Sequence, residues 1–282
     1  MAKNEIIIMK LIFFIHTSLL KQGVLLFFIA FMNTLSGQNN SGYVVYDWFQ
    51  NMGMPYNSKV KLYFNDHESF FKELAKNNLK QTKEDSTTSF FDVNYEAEES
   101  TYTNLKTRKI ISQSLVFTKA YVVEEDLPKI EWEIFNEFQK IGKYNCQKAL
   151  GSFRGREYEA WFTSEIPVNF GPWKLNGLPG LILRVTESKG KIVFEAVKIV
   201  INDSSLKNEI IKNIKIPAIG KKISLKEFVP LKDNEADELL KLILSKEDRT
   251  NPSGIIKVEK AGRDFNYEVI YEWENKTTGS KN

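Results

Sequence analysis

The amino-acid sequence predicts a mainly β protein with minor α content, an antiparallel sheet curved into a half-barrel or open barrel, with one or two helices in the C-terminal half. Three observations predict it. Short segments of β-branched and aromatic residues, bounded by Gly, Pro, Asn and Asp, recur along most of the chain. Two pairs of these segments are joined by very short turns, Arg154-Gly155 and Ser188-Lys189-Gly190. Helical periodicity with capping signals appears only beyond residue 220.

The elements follow in order. Gly42 to Phe49 reads as the first strand and Lys59 to Phe64 as the second, across a turn containing Gly53, Pro55 and Asn57. Glu68 to Leu79 fits either a short helix or an irregular strand. The polar stretch Gln81 to Asn104 reads as loop with one strand near Phe90 to Tyr95. Lys109 to Phe117, Lys119 to Glu124 and Ile130 to Phe135 read as strands. Tyr144 to Phe153 and Arg156 to Thr163 form a hairpin, and in the latter Tyr158, Ala160 and Phe162 alternate with Glu157, Glu159 and Trp161. Leu181 to Glu187 and Lys191 to Asn202 form another. Ser224-Leu225-Lys226-Glu227 is a capping-box pattern opening a short helix ended by Pro230. Glu235 to Lys246 reads as a second helix, capped by Asn234, with Ala236, Leu239, Leu240 and Ile243 on one face. A final strand is expected to carry Phe265, Tyr267, Val269, Tyr271 and Trp273.

The segment "GPWKLNGLPGLILRV", residues 171 to 185, bends and then turns wholly apolar. Leu178-Pro179-Gly180-Leu181 has the sequence of a type II turn, with Pro fixing φ and Gly180 taking the positive φ. Leu181-Ile182-Leu183 lacks alternation, so both faces of that strand should be covered.

Domain organisation is read as a cleaved signal peptide over residues 1 to 37 and one β-rich domain over 38 to 282. Lys21 precedes the apolar run Val24 to Met32, and Thr34, Ser36 and Gly37 follow it, so cleavage before Gly37 or Gln38 fits. The upstream run Ile6 to Leu20 leaves open a retained anchor or an early start codon. Removing these residues lowers the net charge from +3 to +1, which argues against a nucleic-acid partner needing a basic field. The single cysteine, Cys146, permits no intrachain disulfide. About 245 residues are enough for a core without staples.

The stretch "GKYNCQKALGSFRGREYEAWFTSEIPVNFGPWKLNGLPGLILRV" resembles the diagnostic block of the GLPGLI family. The resemblance rests on Cys146-x-Lys148-Ala149, Gly155-Arg156, Ala160-Trp161, Ile166-Pro167, Gly171-Pro172 and the hexapeptide Gly177-Leu178-Pro179-Gly180-Leu181-Ile182. It implies an exported protein of Bacteroidota-type bacteria, in the periplasm, on the outer-membrane surface or outside the cell. Such proteins are often associated with outer-membrane receptor systems, and the resemblance brings no reaction and no catalytic residues.

The chemistry-bearing residues are few. Cys146 lies near Lys143 and Lys148, which would favour a reactive thiolate, while a strand position favours a buried hydrophobe. His67, in Asn65-Asp66-His67-Glu68, is the sole histidine beyond the leader, and adjacent residues converge poorly on a metal. Gly151-Ser152-Phe153-Arg154-Gly155 misplaces the serine for a nucleophile elbow. Glu157 and Glu159 share a strand face, with Glu165 nearby, as solvated carboxylates do. Tyr158, Trp161 and Trp173, with Arg156 beside them, are the candidate lining of a cleft for an apolar or sugar-like ligand. No cofactor and no metal is expected. The leading expectation is a non-enzymatic envelope protein that binds a ligand or partner. A hydrolase or thiol-dependent enzyme using Cys146 or His67, and a purely structural component, are the alternatives.

Overall fold

The computed structural model describes residues 40–74, 97–235, 237–238 and 262–274. The expected leader, the expected strand near Phe90 to Tyr95 and most of the expected helix Glu235 to Lys246 lie outside the described residues.

Among the described residues, twelve strands form one open sheet. In chain order they are β1 Gly42–Asn51, β2 Pro55–Phe64, β3 Glu68–Glu73, β4 Ser100–Asn104, β5 Lys109–Val116 and β6 Lys119–Asp126. There follow β7 Glu131–Ile141, β8 Tyr144–Phe153, β9 Arg156–Thr163, β10 Leu181–Glu187, β11 Ile192–Ile201 and β12 Lys221–Ser224. Their order across the sheet is β12-β6-β5-β4-β3-β2-β1-β11-β10-β9-β8-β7. All neighbouring pairs are antiparallel except β12 with β6. The mainly β, antiparallel expectation is met.

The sheet is strongly curved. β6 and β9 stand eight strand intervals apart, which on a flat sheet would be about 38 Å at ~4.8 Å per interval. Yet Glu125 on β6 meets Arg154, in the turn leading into β9, at 2.6 Å. The sheet therefore rolls until its two wings face each other, while the outermost strands β12 and β7 are not paired with each other.

Alternation sets which face each residue covers. Val44, Tyr46, Leu62 and Phe64 point into the main core, whereas Tyr43, Tyr63, Phe70 and Tyr102 face a second cluster closed by Ile210. That isoleucine belongs to α1, Lys207–Asn213, a helix the sequence reading did not anticipate. A third cluster packs α2, Leu225–Asp233, against Val116, Val123 and Tyr271. The capping box opening α2 is present: Glu227 N–H donates to Ser224 Oγ, and Ser224 N–H to the Glu227 carboxylate. Pro230 does not end this helix but lies within it. Its missing N–H removes only the bond to Lys226, an exposed residue, so the turn continues to Asp233.

The segment between β9 and β10 fills the interior. Ile166, Val168, Phe170, Leu175 and Leu178 are almost wholly buried, packed with Tyr46, Phe162 and Phe194. Leu181, Ile182 and Leu183 are fully buried, as a doubly covered strand requires. The type II turn is not formed. Gly180 lacks a positive φ, and its N–H instead donates to Leu178 O at 2.8 Å across Pro179. That bond closes a three-residue turn, whose negative central φ a proline supplies. Gly180 is needed for space: a Cβ there would lie 2.2 Å from Thr163 O. The positive φ falls on Gly177, at 96°.

One open alternative and two departures concern strand assignment. Glu68 to Glu73 is a strand, which decides the earlier choice between helix and strand. Ser100 to Asn104, expected as loop, is β4, because Thr101, Tyr102 and Thr103 are all buried between β3 and β5. The final segment is not a strand. Residues 262–274 contain a 3-10 turn, Arg263–Phe265, and bends. Its alternation is real, but Arg156 takes the carbonyls that strand pairing would need.

Candidate functional site

The chemistry of the molecule concentrates where the β8–β9 hairpin meets residues 262–274. The hairpin turns through Arg154 and Gly155, both with positive φ, at 46° and 84°. Two positive values match the type I′ turn, whose first position favours asparagine or glycine. An arginine there costs about 1 kcal/mol of backbone strain, and that conformation sends its side chain inward.

Arg154 is almost fully buried and meets three carboxylates. Its Nη2 lies 2.6 Å from Glu125 and its Nε 2.9 Å from Glu272, while Nη1 bonds Glu268. Lys174, equally buried, sets its Nζ 2.5 Å from Glu125 and 3.0 Å from Glu268. Burial alone would push the Glu268 carboxyl up, but the charges of Lys174 and Arg154, with their hydrogen bonds, outweigh it and hold it below the usual range. For Lys174, burial acts to lower its basicity, yet Glu125 and Glu268 together raise it. Two cations and two deep carboxylates thus form a closed square, with Glu272 reaching in from a half-exposed position.

Arg156 forms a second grip two residues on. It pairs with buried Glu187 at 3.4 Å and donates to the carbonyls of Asp264, Asn266 and Tyr267. Glu187 also accepts from the N–H groups of Lys189 and Lys191, so one carboxylate shapes the β10–β11 turn and steadies the arginine. Trp173 stands between Phe153 and Tyr267, edge-to-face with each, at 5.6 and 5.0 Å between ring centres. Trp48 Nε1 donates to the Tyr267 hydroxyl at 2.6 Å.

The candidate binding residues do not share one surface. Arg156 and Trp173 belong to this junction. Tyr158 is buried within the main core, and its hydroxyl makes no hydrogen bond to the described residues. Trp161 lies on the opposite face of β9, partly exposed, donating to Glu159 at 3.0 Å. Cys146 is fully buried, and burial pushes its thiol up to about 11. His67 sits in an exposed turn whose N–H groups are taken by Asn65. Glu157 is exposed and Glu159 is paired with Lys148 at the surface. No group of three metal-ligating side chains occurs among the described residues.

Beside the ion square lies an open cleft of about 710 Å³. Its apolar wall includes Leu127, Pro128, Ile223, Leu225 and Trp273. Its rim alternates Lys109, Lys129, Lys222 and Lys226 with Glu124, Asp126, Glu227 and Glu272. Most rim charges are already paired, as Lys109 with Asp126 at 2.8 Å and Lys222 with Glu124 at 2.7 Å. Sequence reasoning missed Glu125, Lys174, Glu268 and the cleft, because a buried charge carries no local mark distinguishing it from a solvated one. The one available signal was Arg154 at a turn position that favours asparagine.

Fold and site together define an open-sheet β protein with a plugged interior and a polar junction. A family described as "Protein of unknown function (Porph_ging)", typical of Bacteroidota, matches residues 153–184. That match spans Arg154, Arg156, Trp173, Lys174 and the hexapeptide. No curated protein matches the chain. Among solved structures, two crystal forms of PNGF-II match at 16% and 17% identity, with TM-scores of 0.47 and 0.48. Each match covers 70% of this chain and 34% or 33% of that chain, so the chain spans about a third of their length. An uncharacterised conserved protein from Thermus thermophilus matches at 8% identity, covering 64% of this chain and 90% of that one, with a TM-score of 0.34.

Proposed function

We propose that this is an exported, GLPGLI-type cell-envelope protein, residues 38 to 282 forming one domain, that binds a small ligand without chemically changing it. The observation that carries the reading is the cleft between β6, β12, the start of α2 and Trp273. Its volume of about 710 Å³ falls within the usual range for small-molecule sites. Its rim charges are balanced and largely paired, which favours a neutral, hydrogen-bonding ligand over an ion. Trp273, stacked on Tyr271 at 4.8 Å, offers a rigid aromatic surface, as sugar-like ligands use.

The binding reading is preferred over the enzymatic alternative on two residues. Cys146 is buried with its thiol pushed up, the opposite of what a nucleophile requires. His67 hangs in an exposed turn between β2 and β3, whose N–H groups bond to Asn65. An outer-membrane receptor system as partner, and a periplasmic or surface address, belong to the same proposal through the family resemblance.

The test is titration of the purified protein with neutral oligosaccharides, followed by tryptophan fluorescence and isothermal calorimetry. The reading expects saturable binding that Trp273→Ala weakens at least tenfold in a chain that circular dichroism shows to be folded. Binding unaffected by that substitution places the ligand elsewhere and overturns the assignment of the cleft.

A further inference from the structure

Residues 262–274 are held as a recognised peptide is held. They make no strand pairing with the sheet, and their one regular element is the three-residue turn Arg263–Phe265. Instead, side chains of the body grip their backbone and several of their side chains: Arg154 holds Glu272, Asp233 holds Arg263, and Tyr271 packs into the third apolar cluster. Arg156 clamps three carbonyls, those of Asp264, Asn266 and Tyr267. The Arg154 carbonyl accepts from the N–H groups of Val269 and Ile270, at 2.8 and 3.1 Å. The Tyr267 ring packs on Trp173 and its hydroxyl accepts from Trp48, while the adjacent Glu268 carboxylate sits between Arg154 and Lys174.

The charge balance points to what this pocket accepts. Without the segment, Arg154 and Lys174 would keep only Glu125 as a partner, leaving a surplus of one positive charge beside an aromatic ring that any new occupant would bury again. A surplus buried cation demands an anion from whatever occupies the pocket. Tyr267-Glu268 supplies an aromatic ring and a carboxylate on consecutive residues, matching Trp173 and the cation pair in order.

We propose that Trp48, Arg154, Arg156, Trp173 and Lys174 form a peptide-recognition site for an aromatic residue followed by a glutamate in an irregular segment, occupied here in cis by Tyr267-Glu268 and open to the same motif from a partner protein. Trp48, Arg156, Trp173 and Lys174 do not line the cleft, so the site meets it only at Arg154 and through Glu272 and Trp273 of the bound segment, and the peptide assay reads this site without any cleft ligand. In the cis-occupied state the tethered segment is a competitor at high effective concentration, so an external peptide binds only when the internal one is weakened.

The test uses the full chain and a fluorescein-labelled peptide of residues 262–274, read by anisotropy. The Tyr267→Ala/Glu268→Ala chain should bind the peptide at least tenfold more tightly than the wild-type chain does. A peptide carrying the same two substitutions should lose that binding. A folded double variant that binds both peptides equally, or neither, overturns the proposal, and so does a double variant that fails to fold, since the segment would then be part of the core. Amide exchange on the wild-type chain gives an independent reading. Val269 and Ile270 should exchange at least tenfold faster than Ala160 and Phe162 of β9, through opening of the segment alone. Equal rates, showing that the segment leaves only on global unfolding, overturn it.

Discussion

Replacing Gly180 with alanine places a methyl carbon 2.2 Å from Thr163 O, 2.6 Å from Thr163 C and 2.9 Å from Ser164 N. Ordinary contact begins at 3.4 Å, so the entry to β10 must retreat by about 1.2 Å from the carbonyl. No flexible side-chain end is available to yield, because all three obstacles are backbone. Thr163 is fully buried and is the register partner of Leu181, the residue after the glycine. Overpacking of this kind costs about 1–3 kcal/mol. The same retreat pulls on the Leu181 N–H bond to Ile166 O at 3.0 Å, and losing it leaves a buried backbone group unsatisfied, at about 1–3 kcal/mol more. The expected loss is therefore about 2–6 kcal/mol, against a total stability of order 5–15 kcal/mol. Urea unfolding followed by tryptophan fluorescence measures it as a lower midpoint at unchanged slope. Gly177→Ala is the control. Its φ is 96°, but the nearest atom to a new Cβ is Trp132 Nε1 at 3.9 Å, so only backbone strain of about 1–2 kcal/mol applies. A Gly180→Ala protein within about 0.5 kcal/mol of wild type, or a costlier Gly177→Ala, refutes the steric argument.

Other predictions follow from the same interior. Tyr46→Phe should cost about 1–3 kcal/mol in the same assay, because the Tyr46 hydroxyl donates to Ile182 O at 2.7 Å, beside the bulge where β10 slips against β9. Cys146 should resist alkylation at pH 8 in the folded protein and react at once in urea; with the thiol near 11, about one molecule in a thousand is thiolate at that pH. Because that folded value lies above the ordinary 9, its contribution to stability is complete below pH 9 and is lost as pH rises towards 11, which an alkaline melting series should record. Glu268 has the opposite sign. Its folded pKa lies below the ordinary 4.5, so its contribution is present above that pH and disappears on further acidification, and Glu268→Gln should flatten the acid limb of the stability profile.

What the sequence could and could not disclose divides along one physical line. Strands with period-two alternation or unbroken apolar runs announced themselves, since burial on one or two faces leaves a direct mark on residue type. Both short hairpin turns did the same. β4 stayed hidden because Ser100-Thr101-Tyr102-Thr103 sits in a polar neighbourhood, and only the flanking strands β3 and β5 make it a strand. Gly180 was legible as indispensable but for the wrong cause: sequence exposes a glycine, and only the approach of Thr163 tells steric need from conformational need. The junction of Arg154, Lys174, Glu125 and Glu268 was illegible because its four members come from positions 125, 154, 174 and 268, brought together by the curl of the sheet. Trp161 and Tyr158, three residues apart on one strand, could be assigned to opposite faces by parity alone.

The placement of β1 sets the timetable of assembly. It lies between β2 and β11, so Val44 faces Leu62 on one side and Ile199 on the other. The first partner is available as soon as a hairpin can close, whereas the second is made only after some 150 further residues have been synthesised. Until then the eventual middle of the sheet is a raw margin, rich in unsatisfied backbone groups and apolar side chains. Such a distant closure folds slowly and is prone to mispairing with neighbouring chains until β11 arrives.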